Sequence, residues 1–373
     1  MKSAYAAILL LILLTGCSST PTGKEPAKLV DFKQGAIVEK RWDRNVGDVD
    51  YAGLRPAVTA EGVYAASSDG KLYKLDPVSG KKLWKIDCGF RVSGAVAAGD
   101  GLVLVGGLKS EVAAYDANGN LRWLTHVSSE VLSAPQISDG VVVVRSSDGR
   151  IAGLAAEDGK RQWLYEHSTP ALTVRSFAGV LIRRGVVYAG FPGGRLAAIN
   201  LASGSLLWEA AISQPKGNTE LERISDITSE PVSDGVKVCA VAFQGRLACL
   251  DARQGAILWS REISSDKGLA LSGNNLYVTD DEGTVLALDK SSGSTLWKND
   301  QLFMRRVSAP LVTEKFVVVG DFEGYLHVLG RDDGSLLARK RTDGSPIRFA
   351  PAGLGKGLVL QTGDGGIYSE DIN

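Results

Sequence analysis

Seven tryptophans stand at positions 42, 84, 123, 163, 208, 259 and 297, and none lies outside this series. The intervals are 42, 39, 40, 45, 51 and 38 residues, close to the period of a four-stranded propeller blade. Most are preceded by the same phrase: "LYKLDPVSGKKLW" ends at Trp84, "VAAYDANGNLRW" at Trp123, "LAAINLASGSLLW" at Trp208, "LACLDARQGAILW" at Trp259 and "VLALDKSSGSTLW" at Trp297. One full unit, "VSGAVAAGDGLVLVGGLKSEVAAYDANGNLRW", holds four short apolar runs broken by Gly, Asp and Asn, the pattern of an antiparallel meander. A glycine turn precedes the third strand of most units: "SSDG" at 67–70 and 146–149, "PGG" at 192–194, "FQG" at 243–245, "DEG" at 281–283 and "FEG" at 322–324. The Asp-x-x-x-Gly segment reads as the turn between the third and fourth strands. There Asp bonds nearby amides and Gly takes a positive φ that other residues adopt at a cost. A tryptophan ending every outer strand fills the wedge between blades; its role is packing, not chemistry.

The position 41 residues after Trp297 is Ala338, which makes eight units. Ala155, Asn200 and Gly330 take the Asp position of three units, and these turns are expected to be looser. The last segment, "GDGGIYSEDIN", aligns with "SSDGKLYKLD" so that Asp371 matches Asp76, and the chain stops one outer strand short. Trp42, conversely, sits on an outer strand with no inner strands before it. The two ends complete one blade. The expectation is an all-β, eight-bladed propeller of four-stranded antiparallel blades, closed by the N-terminal strand.

Lys plus Arg and Asp plus Glu are 42 each, so the chain is neutral and is not built to coat nucleic acid or an acidic membrane face. Four cysteines and three histidines, scattered along the chain, give no metal-ligand spacing and no metal site. The first residues, "MKSAYAAILLLILLTGC", combine Lys2, an apolar run too short to span a bilayer and a small-residue end, as in an export signal. Leu14-Thr15-Gly16-Cys17 resembles the bacterial lipobox, which implies cleavage before Cys17 and lipid attachment to it; Ser18, in place of Asp, implies sorting to the outer membrane. Residues 18–28, "SSTPTGKEPAK", have the composition of a tether. Buried acyl chains contribute roughly 0.8 kcal/mol per methylene, so several would hold the protein on the membrane. The expected organisation is a signal peptide over 1–16, a lipidated Cys17 with its tether over 17–28, and the propeller over 29–373.

The Ala/Leu-x-x-Leu-Asp-x-x-x-Gly-x-x-x-Trp repeat resembles the pyrroloquinoline-quinone type of propeller, best known from quinoprotein dehydrogenases. Those enzymes carry adjacent cysteines, a calcium site and an Asp base over the channel. Here Cys17, Cys88, Cys239 and Cys249 form no adjacent pair, and His126, His167 and His327 fall in different blades. No catalytic residue and no cofactor are therefore assigned. A lipobox, a short tether and one complete ring are similar together to the BamB family, the propeller lipoproteins of the bacterial β-barrel assembly machinery. The likeness is sharpest at "ELERISDITSEPV" (220–232), "FQGRLACLDARQGAILW" (243–259) and "GDFEGYLHVL" (320–329). It implies a non-enzymatic scaffold that binds the POTRA domains of the barrel-inserting subunit BamA and assists insertion of outer-membrane proteins. Direct contact with unfolded client chains stays open, as does a scaffold role in another envelope complex.

The two longest intervals, 45 and 51, are consecutive and lengthen two crossings between blades: "YEHSTPALTVRSFAG" (165–179) and "AAISQPKGNTELERISDITSE" (210–230). Long loops side by side on a rigid ring are where binding tends to reside. By resemblance, the family's partner contacts map to Leu172, Val174 and Arg175 in the first loop and to Asp226 and Thr228 in the second. Val174 stands for a family leucine and Thr228 for a family aspartate, which weakens the local charge. For Arg175 the alternative is a structural ion pair holding the two loops together, and the two roles are compatible. Cys239 and Cys249 flank the "FQG" turn: a three-residue loop sets them opposite, within bridging distance, and a two-residue loop turns them to opposite faces.

Overall fold

The computed structural model describes residues 24–373 apart from Tyr51, Thr169 and Ala171; the signal peptide expected over 1–16 and the expected lipid site Cys17 lie outside the described residues. Eight sheets form the ring. Six are four consecutive strands paired in sequence order, the first being Ala57–Thr59, Gly62–Ala66, Lys71–Leu75 and Lys82–Asp87. The eighth is composite: Val38–Asn45 pairs antiparallel with Gly366–Ile372, with Val38 opposite Ile372 and Asn45 opposite Gly366. Arg41 Nε donates to Asp371 at 3.1 Å across this seam. The second blade departs from the four-stranded expectation. A two-residue strand, Gly53–Leu54, adds in parallel to its inner strand Val92–Gly99 and makes five.

The core lies between neighbouring blades, each apolar face buried against the next. Val143, Ile151 and Trp163 of the third blade pack on Val187, Phe191 and Ile199 of the fourth. The repeated phrase is the joint of this packing. Each of the seven indole Nε1 atoms donates to a backbone carbonyl in the next blade's outer turn, from Trp42 to Pro77 at 3.1 Å through Trp163 to Leu201 at 2.8 Å to Trp297 to Arg331 at 2.8 Å. The turn glycine lies under the indole. Gly255 has φ +70°, and a Cβ there would sit 2.5 Å from a ring carbon of Trp208, so the position excludes a side chain on two grounds.

This explains the missing eighth tryptophan. Ala338 on the seventh blade faces the composite blade, whose third and fourth strands come from opposite chain ends and have no turn for an indole to hold. The irregular turns are less loose than expected. Asn200 Oδ1 accepts from the amides of Ala202 at 3.0 Å and Ser203 at 2.9 Å, as Asp does elsewhere. The turns at Ala155 and Gly330 keep their backbone bonds, Gly159 to Ala155 and Gly334 to Gly330, both at 2.9 Å.

In the fifth blade Cys239 is opposite Cys249, and Ala242 N donates to Arg246 O at 3.0 Å, so the loop between is the three residues 243–245. The two sulfurs are joined in a disulfide, with Cα atoms 4.1 Å apart. Cys88 is a free thiol, pushed up to about 11 by burial. Thiol labelling of the unreduced, unfolded mature protein should modify Cys88 and neither Cys239 nor Cys249; labelling of all three would refute the bridge.

At the closing seam Glu370 is 1% exposed, and its Oε2 has no hydrogen-bond partner. Burial pushes its carboxyl up to about 6, against the pull of Lys340 and Lys40. A carboxyl raised in the folded state contributes fully below its unfolded value and loses that contribution as pH rises through the folded one. Glu370→Gln should therefore stabilise the ring by about 1 kcal/mol above pH ~6, after allowance for screening by water and the two lysines. Melting curves at pH 7.5 and pH 5 check this: the gain should shrink at the lower pH.

The seventh blade holds a buried polar cluster in which Arg305, Asp321 and His327 side chains are 4%, 0% and 0% exposed. Arg305 Nε and His327 Nε2 both meet Asp321 Oδ2, at 2.8 and 2.9 Å, while Oδ1 accepts from the amides of Glu323 and Tyr325 at 3.0 and 2.9 Å. Arg305 Nη1 also donates to Ala27 O at 3.1 Å, and Ala27 N donates to Phe303 O at 2.9 Å. The segment around Ala27, expected from composition to belong to the tether, thus lies against the crossing from the sixth blade to the seventh. The buried guanidinium takes one of its acceptors from them.

Candidate functional site

Antiparallel strands alternate in direction, so every crossing from an outer strand to the next blade emerges on the same face as the second-to-third turns. The two long crossings therefore share one face. The first joins Arg161–Tyr165 to Val180–Arg183; the second joins Leu206–Ala211 to Val232–Ser233. The tip of the second is organised by Glu222, which accepts from the amides of Asn218 and Thr219 at 2.7 and 3.1 Å. The chain then dives into the ring wall at Ser225, Asp226 and Ile227, which are 1%, 3% and 1% exposed.

Asp226 is the point where the two loops meet. Its Oδ2 accepts from the amide of Val174 at 2.8 Å and its Oδ1 from the amide of Gly193 at 3.0 Å. Its carbonyl accepts from Phe243 N at 2.8 Å, forming a bridge to the "FQG" turn. Asp226 thus fixes the first loop and the "PGG" turn through its carboxylate and the fifth blade through its backbone carbonyl. A second tie runs from Ser176 Oγ to Thr228 O at 3.3 Å.

The five residues assigned by resemblance separate into two kinds. Leu172, 42% exposed, and Arg175 face solvent, with Val174 half-buried between them. Asp226 and Thr228, at 3% and 7%, are buried and hold the platform from beneath. The inter-loop tie is made by Asp226 to backbone, and among the described residues Arg175 has no hydrogen bond or ion pair. Its guanidinium faces solvent, and its charge adds to the serine hydrogen bonds that hold the Glu130 carboxyl low.

Sequence reasoning missed the second layer. Arg145 ends the apolar strand Val141–Arg145; burial pulls its guanidinium down to about 10, and the Asp226 carboxylate opposes that pull. It lies over the Phe191 ring, 5.3 Å from the centroid, and His167 stacks on that ring at 4.4 Å. Leu221, 67% exposed on the second loop, adds an apolar side chain to the same face. The signals were a cation closing a fully apolar run and a lone leucine in a polar loop.

The family model described as "Outer membrane protein assembly factor BamB" matches residues 68–299. The chain belongs to this BamB family of outer-membrane protein assembly factors. The BamB of Nitrosomonas eutropha is 41% identical over 96% of this chain and 92% of its own length. That of Pseudomonas aeruginosa is 41% identical over 97% of both. Among solved structures, BamB from Moraxella catarrhalis superposes with a TM-score of 0.83 at 25% identity, covering 90% of this chain and 100% of that one. A quinohemoprotein alcohol dehydrogenase from Comamonas testosteroni superposes with a TM-score of 0.72 at 13% identity, covering 89% of this chain and 76% of its own, a likeness of fold alone. The family to which the chain belongs is thus one of outer-membrane protein assembly factors, and the likeness to the dehydrogenase carries no activity over.

Proposed function

We propose that the chain works as a lipid-anchored periplasmic platform on the outer membrane, docking the POTRA domains of the barrel-inserting subunit BamA on its two long loops. The observation that carries this reading is the pair of adjacent crossings locked together by Asp226, which hold Leu172, Val174 and Arg175 outward. An exposed arginine beside apolar side chains on a rigid base is the composition of an interface hot spot. Asp226 and Thr228 act as positioning residues, and contact with the partner falls to Leu172, Val174 and Arg175. The platform supports insertion of outer-membrane proteins by orienting the barrel subunit, with no covalent step.

Two measurements test the parts of this reading separately. Mass spectrometry of the mature N-terminus should find an acylated Cys17; an unmodified cysteine removes the anchor. A photo-crosslinker placed at Leu172 in intact envelopes should capture the barrel subunit, and a crosslinker on the opposite face should not. Capture of a different envelope protein at Leu172 would transfer the platform to another complex.

A further inference from the structure

The ring encloses a cavity of about 970 Å³ whose lining includes Arg55, Arg175, Arg183, Lys267 and Arg306. Its acidic lining residues are already matched: Glu230 pairs with Arg55 at 2.8 Å, Asp266 with Lys267 at 2.8 Å and Asp234 with Lys290 at 2.8 Å. A chain with no net charge therefore leaves an excess of positive charge in one concavity, where low-dielectric walls focus the field. Contacts between opposite walls cross the channel. Phe177, leading into the fourth blade, meets Phe349, leading into the eighth, edge to face at 5.9 Å, and the Arg55–Glu230 pair lies in the same lining. The loop-face end is thus a funnel with an aromatic and ion-paired floor.

Arg306 belongs to this funnel and to neither long loop. It lies on the crossing from the sixth blade to the seventh, exposed, with φ +49°. A non-glycine residue holds that conformation only when its surroundings impose it. Here Arg305 on one side is locked to Asp321, and Val307 on the other is fully buried. The strained backbone carries a guanidinium with no ion pair among the described residues. Arg175 faces the same cavity from the crossing between the third and fourth blades, and likewise has none.

We propose that the loop-face mouth of the channel receives an acidic polypeptide segment of the partner docked on the two long loops, with Arg306 as a basic contact outside both loops. The proposal rests on the docking reading above and extends it to the partner's chemistry. Each guanidinium can hold a carboxylate through two parallel N–H···O bonds, and the Phe177–Phe349 floor accepts the aliphatic part of a Glu side chain.

The test titrates the detergent-solubilised mature protein with purified POTRA domains of the barrel subunit at low and high salt. Wild-type affinity should fall as salt rises. Arg306→Gly should lower the low-salt affinity about ten-fold and flatten the salt dependence, with the melting temperature unchanged or raised because glycine relieves the positive φ. Arg306→Lys, which keeps the charge but not the two parallel bonds, should keep the salt dependence and recover only part of the affinity. Wild-type binding by Arg306→Gly, alongside lost binding by Arg175→Glu, would overturn the acidic-segment proposal and leave docking intact. Full binding by both variants would overturn the docking reading itself. A lowered melting temperature for Arg306→Gly would make Arg306 a structural residue and sink its assignment as a contact.

Discussion

Asp321→Ala should be among the most destabilising single changes in this ring, costing about 3–5 kcal/mol. The carboxylate is completely buried and serves Arg305, His327 and the amides of Glu323 and Tyr325 together. Its removal leaves a guanidinium that is 4% exposed with only Glu323 at its outer edge and Ala27 O as acceptors, and leaves two amides without partners. For a domain of this size the loss corresponds to a fall in melting temperature of about 4–7 °C. Burial pushes the Asp321 carboxyl up, but His327, the Tyr325 amide and Arg305 outweigh it and hold it below the usual range. A carboxyl lowered in the folded state stabilises above its unfolded value and loses that contribution as pH falls through the folded one. Wild-type stability should therefore drop in acid more steeply than that of Asp321→Asn. Because Arg305 also binds Ala27 O, Asp321→Ala should speed proteolysis within residues 24–34. A variant that melts like wild type would show that the cluster is solvated in solution.

The ring was legible because its joint is written once per blade. The indole and the next blade's turn are both local signals, so seven copies of each disclose blade number, strand order and closure without any long-range contact. The absence of an eighth tryptophan was visible as Ala338, but its reason was not, since it depends on which strand of the composite blade comes from the other end of the chain. Gly53–Leu54 was invisible for a different reason. Two residues have no alternation to read, and a parallel partner leaves no hairpin signal. Composition could not show that Ala27, in a stretch that reads as tether, gives its carbonyl to a buried arginine 278 residues away.

At the site, sequence identified the loops and the resemblance identified the residues, but neither gave depth. Asp226 and Arg175 look alike in the sequence, each a charged residue in a long loop. One is 3% exposed and satisfied by backbone amides; the other faces solvent. A hint lay in "ISDI", where Asp226 stands among residues that all turn inward. A charge inside a run that buries itself is held by its own chain more often than by a partner.

This difference in depth decides how the docking surface should be probed. Arg175→Glu should weaken binding to the POTRA domains by about 30-fold or more, since breaking a central interface charge pair costs about 2–5 kcal/mol. The ring should melt within a degree or two of wild type, because among the described residues Arg175 has no hydrogen bond or ion pair to lose. Asp226 cannot be reversed so cleanly. A lysine there would occupy a site that is 3% exposed and face the Val174 and Gly193 amides as a donor facing donors. Asp226→Ala should lower binding and stability together by releasing Val174 and its neighbours. Asp226→Asn, which keeps one acceptor, should recover part of both. Arg175→Glu thus reports on contact and Asp226→Ala on placement, and the ratio of lost affinity to lost stability separates them. If Arg175→Glu binds as tightly as wild type while Asp226→Ala does not, the contact lies on Leu172, Val174 or Leu221 and the charge is incidental. If both bind fully, the partner sits elsewhere on the ring.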